Sequence, residues 1–415
     1  MAQGKNMKLY KREDYLKRIR GFYHDTDIIK VITGIRRCGK SSLMTTIMEE
    51  LLESGVPESN CIYIDLDSKK YRHIKTDQEL ENLIDSLSNV EGVKYLFIDE
   101  IQNIDNFEEL INAYRTEGDY SIFITGSNSY LLSGELVTKL TGRYIEFEML
   151  PLSFYEYLEM KKFFGKQIDP NILNEFNKYI VEGGFPKSIQ YDSLSDKRSY
   201  TNAIVQEIFE KDIKKRKKIR SLETFRLVTD FIINNYGQTM SMLSIQKGLE
   251  NAGIKTRRET IVKYIDILVN AKILYQCDRF DLKSKRSLKR EKKYYLADSS
   301  FFFMRNVDNR INYGPALENA VFLYAKSKNY AISVGKIGSL ECDFILRDAD
   351  LNYSYVQVAF TIMDSIKTED REYKPLESIR DNYPKYVLTT DFLTQKRNGI
   401  IHDNLIEFMK EDKTF

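Results

Sequence analysis

The chain has few of the residues on which small secreted proteins and zinc proteins depend. Its 415 residues include no Trp, three His, four Cys and seven Pro. The cysteines are scattered without metal-ligand spacing, at Cys38, Cys61, Cys277 and Cys342. Neither a zinc site nor a disulfide framework is therefore predicted.

Long apolar runs and an excess of one charge are also absent. No run of apolar residues approaches the roughly 20 needed to span a bilayer, and the first residues, Met-Ala-Gln-Gly-Lys-Asn, lack the apolar core of a signal peptide. We expect a cytoplasmic protein with no membrane partner. The net charge of +2 excludes a globally basic nucleic-acid binder, and 42% hydrophobic with 30% charged residues indicates a globular chain of several domains.

The clearest motif is at residues 34–41, which match every position of a phosphate-binding loop. The apolar run 28–32 precedes it and the helix-like segment 42–48 follows. Lys40 is expected to reach the β- and γ-phosphates of ATP, and the Ser41 hydroxyl to bind Mg²⁺. The predicted nucleotide-binding residues are Gly34, Ile35, Arg36, Arg37, Cys38, Gly39, Lys40, Ser41 and Ser42.

A second motif is the buried-strand run 93–98, which ends in Asp99 and Glu100. This is the Walker B pattern. Asp99 would hold Mg²⁺ through water, and Glu100 would orient or deprotonate the attacking water as the catalytic residue.

A third strand, 121–125, leads into Gly126-Ser127-Asn128. Because ligands of open parallel sheets bind at the carboxyl ends of strands, Asn128 or Ser127 could contact the γ-phosphate or the lytic water. Asn128 could equally cap the following turn. Farther on, Arg143 could act on the γ-phosphate of a neighbouring subunit in a homo-oligomer, or it could be a solvated surface charge.

These motifs together resemble the prokaryotic AAA+-type ATPases that carry a C-terminal domain of unknown function, DUF4143. The resemblance rests on the phosphate loop, the Ile-Asp-Glu-Ile-Gln strand end, Thr-Gly-Ser-Asn, Thr-Gly-Arg and the segment Pro151 to Glu156. It covers almost the whole chain and implies an ATPase. The Arg-Arg pair of the loop and Pro-Leu-Ser-Phe are its more particular features.

Residues 222–297 have the pattern of a winged helix: three helices followed by two strands around a basic hairpin. The third helix is predicted to open with a capping box, Thr256 with Glu259. Its apolar residues Ile261, Tyr264, Ile265 and Leu268 fall on one face. Arg257, Arg258 and Lys263 lie off that face.

One basic run, within 211–220, precedes this segment, and a second, within 283–293, lies at its hairpin. Such runs are often solvated faces. Their position favours DNA contact through residues 256–293, although winged helices also bind proteins.

The last hundred residues follow the order of a restriction-endonuclease-like core, with Glu318 on a helix and Asp343 and Gln357 on strands. In that fold a lysine two positions after the Glu or Gln activates water. Here that position is Ala359. A degenerate, non-cleaving scaffold is therefore favoured, unless a displaced lysine such as Lys367 substitutes.

The sequence thus predicts an α/β chain with four parts: a P-loop AAA+-like parallel-sheet domain (1–150), a helical lid or connector (151–220), a winged helix (221–312) and a C-terminal α+β restriction-endonuclease-like domain (313–415). The leading function is Mg²⁺-dependent ATP hydrolysis that controls DNA or partner binding. An ATP-dependent DNA nuclease and an ATP-gated protein-interaction module in signalling or defence are the alternatives.

Overall fold

The computed structural model describes residues 9–126, 140, 142–214, 219–305 and 310–415. The chain divides into two compact units, Met1–Met149 and Leu150–Phe415. Within the described residues, none of the helices is long and apolar enough to cross a membrane.

The first unit is built on a parallel sheet, to which the described residues contribute five strands in the order β2-β3-β4-β1-β5. The strands are β1 (Ile29–Gly34), β2 (Cys61–Asp65), β3 (Lys94–Asp99), β4 (Tyr120–Thr125) and β5 (Tyr144–Met149). Each of the strands predicted at 28–32, 93–98 and 121–125 is present.

Helices cover this sheet, and its central strands are therefore buried on both faces. All residues of β1 and β4 are buried, as expected for the apolar runs of a parallel sheet. The described helices are α1 (Glu13–Ile19), α2 (Lys40–Glu53), α3 (Asp77–Leu87) and α4 (Phe107–Glu117), with 3₁₀ turns at Arg20–Phe22, Glu58–Asn60 and Ile101–Asn103.

The second unit contains a mixed sheet of nine described strands in the order β13-β14-β12-β11-β10-β9-β7-β8-β6. The strands are β6 (Thr239–Ser241), β7 (Leu274–Asp281), β8 (Arg286–Leu296), β9 (Ala331–Ile337), β10 (Leu340–Arg347), β11 (Tyr353–Val358), β12 (Lys385–Thr389), β13 (Lys396–Arg397) and β14 (Ile400–Asn404). Because β7 pairs with β9 in parallel, one sheet runs across residue 312, where the sequence suggested a domain boundary.

Helices dominate the start of this unit and then alternate with the strands. They are α5 (Phe154–Phe163), α6 (Ile172–Glu182), α7 (Leu194–Glu207), α8 (Leu222–Asn234), α9 (Met242–Asn251), α10 (Arg258–Asn270), α11 (Ser300–Arg305), α12 (Tyr313–Ser327), α13 (Ile366–Glu377) and α14 (Leu405–Lys410), with a 3₁₀ turn at Pro186–Gln190 and a π-helix at Ile208–Lys214. Ser153 caps α5 in a capping box with Glu156, which accounts for the Ser-Phe-Tyr-Glu part of the resemblance.

The segment from α8 to β8 follows the order helix, strand, helix, helix, two-stranded hairpin. The apolar face predicted for α10 is buried, at Ile261, Tyr264, Ile265 and Leu268. The predicted capping box is wrong, however. The helix begins at Arg258, and its N-cap residue is Arg257, which makes no side-chain cap hydrogen bond. Thr256 therefore lies one position too early to cap the first turn.

Candidate functional site

The phosphate loop connects β1 to α2 through a backbone that few side chains tolerate. Gly39, the N-cap of α2, has φ of 110°, and Arg37 has φ of 65°. The N-cap residue supplies no side-chain hydrogen bond to α2. The positive end of α2 and its first N–H groups are therefore suited to an anion.

Gly34 at the end of β1 is required by close packing. A Cβ atom there would lie 2.3 Å from the carbonyl oxygen of Met149 on the neighbouring β5. The φ of 144° at Gly34 would also strain any other residue. The first glycine of the motif thus lets the loop leave the sheet beside β5.

Two cations hold the loop carbonyls. The Lys40 ammonium donates to the carbonyls of Gly34 and Ile35, at 3.2 and 3.3 Å. The Arg12 guanidinium, just before α1, donates to the carbonyl of Cys38 at 3.1 Å. Sequence reasoning identified Lys40 but missed Arg12, because Arg12 lies outside any motif and reaches the loop only through the fold.

The acidic end of β3 lies at the same edge of the sheet as the phosphate loop, with β4 between β3 and β1. Asp99 is buried, and its two carboxylate oxygens accept hydrogen bonds from the hydroxyls of Thr125 and Tyr63, the latter at 3.3 Å. The Thr125 hydroxyl also accepts from the Glu100 N–H at 3.0 Å. Thr125, the last residue of β4, therefore links both acids. Sequence reasoning did not single out Thr125, although a polar residue at the end of a strand is a signal that could have identified it.

Glu100 lies in the left-handed region, with φ of 58°. Such a conformation is uncommon for a residue with a side chain. The Gln102 amide donates to its carboxylate. The backbone bond to Thr125 and this amide together fix where the Glu100 carboxylate lies.

The other predicted catalytic residues are not in this group. Ser127 and Asn128 lie outside the described residues, so the sensor role of Asn128 stays a prediction. Arg143 precedes β5, and its carbonyl accepts from the N–H of Ile29 at the start of β1. The phosphate loop lies at the other end of β1, roughly 17 Å away for a strand of this length. Arg143 therefore lies at the opposite edge of the sheet from its own phosphate loop.

A buried charge cluster lies in the second unit, around Lys293 of β8. The Lys293 ammonium is 2.9 Å from Glu318 Oε2, 3.0 Å from Glu341 Oε1 and 3.8 Å from Asp343 Oδ1. Tyr295 also donates to Glu318, at 3.2 Å. Burial alone would lower the pKa of Lys293, but the three carboxylates raise it overall. Burial raises the pKa of Glu318 and of Asp343.

Gln357 extends this cluster on its other side. Its side-chain oxygen accepts from the Asp343 N–H at 3.3 Å, and its amide donates to Glu372 at 2.9 Å. The structure thus brings Glu318, Asp343 and Gln357 into one neighbourhood, as predicted. Lys367 is exposed, and the lysine that contacts the acids is Lys293.

This cluster corrects part of the predicted DNA surface. Lys293 is only 4% exposed and ion-paired, and is not available for phosphate. In the other basic run, Lys211 pairs with Glu207 and Lys214 with Glu210, four residues apart on one helical face. Residues 215–218 of that run lie outside the described part of the chain. Exposed cations remain at Arg257, Arg258, Lys263, Lys283, Lys285 and Arg286.

Two family models match the chain. Residues 26–158 match the AAA domain. Residues 173–309 match a domain of unknown function, DUF8612, where the sequence resemblance had suggested DUF4143. The AAA match contains the phosphate loop and both Walker B acids, but it begins after Arg12.

Two relatives extend over most of the chain. An uncharacterized protein of Haemophilus influenzae is 35% identical over 386 residues, 92% of this chain and 94% of its own length. An uncharacterized protein of Methanocaldococcus jannaschii is 30% identical over 363 residues, 85% of this chain and 79% of its own. The chain belongs to the same family as these proteins and carries an AAA domain.

A solved structure shows a similar fold. The Walker-type ATPase of Pyrococcus abyssi matches 72% of this chain and 97% of its own with a TM-score of 0.52, at 15% sequence identity. At that identity the likeness supports the P-loop AAA+-type fold.

Proposed function

We propose that this member of the family hydrolyses ATP with Mg²⁺ and uses its nucleotide state to control DNA binding by its second unit. The observation that carries the ATPase part is the Thr125 hydroxyl, which joins Asp99 and Glu100 at the sheet edge where the phosphate loop begins. Carboxylates fixed in this way meet the need of phosphoryl transfer, which depends mainly on positioning and charge neutralisation.

ATP would bind with its phosphates against the loop and the first turn of α2. The Lys40 ammonium, which rests on two loop carbonyls, would turn to the β- and γ-phosphates. The remaining loop residues would contribute mostly backbone N–H groups, which suit phosphate oxygens.

Magnesium fits the oxygen donors at this site. Ser41 presents an exposed hydroxyl in the first turn of α2, and Asp99 supplies a carboxylate. When bound, the ion would neutralise phosphate charge. Glu100 would hold the attacking water by hydrogen bond and accept its proton.

Nucleotide binding and turnover of three variants test this proposal. Glu100→Gln should keep ATP affinity and lose about 100-fold or more in kcat, because its carboxylate acts on the water. Lys40→Ala should lose affinity and turnover together. Glu58→Gln, an exposed acid of the same unit, is the matched control. Unchanged kcat in Glu100→Gln would remove that residue from the mechanism.

For the DNA part we propose that α8, α9, α10 and the β7–β8 hairpin act as a winged helix, with α10 as the recognition helix. Arg257 and Arg258 are exposed at its uncapped start. Arg257 lines an open cavity of about 660 Å³ together with Lys255, Thr256 and the acid Glu250. Lys283 and Lys285 are exposed at the hairpin turn. These cations suit duplex phosphates.

Titration of duplex DNA at several salt concentrations tests this part. Arg257→Ala with Arg258→Ala, and Lys283→Ala with Lys285→Ala, should each weaken binding and flatten the salt slope by roughly one per lost phosphate contact. Lys69→Ala with Lys70→Ala removes two exposed cations elsewhere and should change neither. If the wild-type protein with ATP binds no DNA even at low salt, the protein-interaction alternative is favoured.

We further propose that the second unit does not cleave DNA. Ala359 occupies the position of the water-activating lysine, Asp343 is buried, and both Asp343 and Glu318 are paired with Lys293. Linear, supercoiled, branched and single-stranded DNA should survive incubation with Mg²⁺ and ATP. Cleavage that disappears in Asp343→Ala would establish the nuclease alternative instead.

Arg143 can act on ATP only if subunits assemble, because its own phosphate loop is at the other edge of the sheet. We propose that it reaches the nucleotide of a neighbour. In that case a mixture of Arg143→Ala and Lys40→Ala proteins should recover turnover that neither has alone. If the turnover of the mixture is only the sum of the rates of the two variants, Arg143 does not act on a neighbour's nucleotide.

A further inference from the structure

Five large apolar side chains are exposed together at one end of the second unit. They lie on the loop from β11 to α13, at the first residue of α13 and on the loop from β12 to β13; both loops follow the carboxyl ends of parallel strands. Ile366, Phe392 and Leu393 are 78, 80 and 79% exposed. We call the group the apolar tip; its members are Phe360, Met363, Ile366, Phe392 and Leu393.

The two loops are fastened to each other. The Asp391 carboxylate accepts from the Thr361 hydroxyl at 2.6 Å and from the Ile362 N–H at 3.0 Å. The Thr390 N–H and hydroxyl both donate to the carbonyl of Phe360, at 3.0 and 2.7 Å. The apolar tip is therefore presented by hydrogen-bonded loops, which lowers the entropy cost of binding through it.

The next residues on the chain are anchored as well. Arg397, at the end of β13, pairs with Glu369, Asp370 and Glu377 of α13, at 3.1, 2.8 and 2.9 Å. The loop that carries Phe392 and Leu393 is thus fixed before and after them. An exposed aromatic and aliphatic pair on a fixed loop has the character of an interface anchor.

We propose that the apolar tip is the contact between two copies of this chain related by a two-fold axis. Its side chains expose about 600 Å² of apolar surface, at the upper end of what a monomer leaves uncovered. Two tips that covered each other completely would bury at most about 1,200 Å², the lower bound for a stable interface. The exposed area of the tips therefore just reaches what a dimer needs.

The charges around the apolar tip favour a second copy of the chain over a partner whose surface carries charges of one sign. Asp364, Lys367 and Lys396 are exposed beside the apolar side chains. In a two-fold contact each patch meets itself, so a rim with both signs can pair acid with base across the axis. The apolar centre and mixed polar rim match the usual anatomy of such interfaces.

Sedimentation equilibrium of the full chain between about 1 and 100 µM tests the contact. The wild-type protein should dimerise, and Phe392→Asp with Leu393→Asp should weaken the association at least about 100-fold. Leu351→Asp, which changes an exposed leucine (64%) on another loop, should leave it unchanged. Far-UV circular dichroism melts of all three proteins show whether the fold is kept.

A charge exchange tests the symmetry. Asp364→Lys makes the three exposed rim charges basic, and Lys367→Asp with Lys396→Asp makes all three acidic, so each variant should self-associate more weakly than their mixture. The proposal would be overturned if the wild-type protein stayed monomeric throughout the concentration range. It would also be overturned if the protein with Phe392→Asp and Leu393→Asp associated as tightly as wild type. A monomer that binds phosphatidylcholine–phosphatidylglycerol vesicles through Phe392 would overturn it in favour of a lipid surface.

Discussion

The guanidinium Nη1 of Arg12 lies 3.1 Å from the carbonyl oxygen of Cys38, in the centre of the phosphate loop. Arg12 is 5% exposed and stacks on Tyr15, with the guanidinium carbon 4.5 Å from the ring centroid. A residue twenty-two positions before the motif thus holds a loop whose Arg37 has a positive φ. Holding a strained loop in place is a form of preorganisation for its ligand.

We predict that Arg12→Ala lowers ATP affinity about tenfold, because the loop then samples conformations that do not bind phosphate. Arg12→Lys should restore part of the affinity, since an ammonium can still donate to the Cys38 carbonyl. Isothermal titration with ATP measures the effect. The control is Arg20→Ala, which breaks ion pairs with Glu13 and Glu50 in the same region without touching the loop. Equal affinity in wild type and Arg12→Ala would show that the contact is only structural.

Thr125→Val should reduce both stability and turnover. Valine has nearly the shape of threonine but leaves the Glu100 N–H and one Asp99 oxygen without the hydroxyl. Leaving buried polar groups unpaired costs about 1–3 kcal/mol. Urea unfolding and steady-state ATP hydrolysis measure the two effects. Thr125→Ser keeps the hydroxyl and should stay close to wild type in both; an inert Thr125→Val would mean that Asp99 and Glu100 are positioned by other groups.

Lys293→Met should destabilise the second unit by about 3–5 kcal/mol, because it leaves the buried Asp343 and the partly buried Glu318 and Glu341 without their cation. Lys292→Met is the control, since Lys292 is half-buried and its ammonium makes only a long ion pair, 3.9 Å from the Asp278 carboxylate. Urea unfolding gives the difference.

The same variant gives a second readout. In the wild type, the described residues hold no group of acids arranged as a metal site. With the ammonium gone, Glu318, Glu341 and Asp343 are left without their cation, and oxygen ligands of this kind suit Mg²⁺ or Ca²⁺. Millimolar Mg²⁺ should therefore raise the stability of Lys293→Met more than that of wild type. No metal effect on Lys293→Met would show that the carboxylates move apart when the lysine is lost.

Asp298 makes stability depend on pH. Its carboxylate is buried and accepts from the Gly184 N–H at 2.7 Å and from Ser300. Burial raises the pKa of Asp298 from 3.8 to about 6. Because the folded state then binds the proton more tightly than the unfolded state, the free energy of unfolding rises as pH falls from about 6 towards 4.

The difference between wild type and Asp298→Asn isolates this effect. Asparagine does not titrate, so the stability of wild type relative to the variant should grow by at most about 3 kcal/mol between pH 7 and pH 4. Urea unfolding at fixed pH values measures it. A difference that is constant with pH, or that grows as pH rises, would contradict a raised pKa.

The sequence by itself determined the local parts of the proposed nucleotide site. Lys40, Ser41, Asp99 and Glu100 are predicted from the spacing of a phosphate loop and the end of an apolar strand, which are set by the backbone nearby, and their roles stay predictions. Three of the five described strands of the first unit, β1, β3 and β4, were predicted from their apolar runs, and the apolar face of α10 was predicted from its helical periodicity.

Only the tertiary structure decided which distant residues meet. Arg12 reaches Cys38, Thr125 joins Asp99 to Glu100, and Lys293 enters the acid cluster by contacts between elements far apart in the chain. In the sequence Lys293 was one more cation of a basic run. Lys293 lies on β8, which pairs with β7 in the large sheet. Successive side chains of a strand point to opposite faces of the sheet, and Lys293 lies on the face where it meets Glu318 and is buried. Local pattern sets the elements, whereas the pairing of strands across the chain sets which charges neutralise each other.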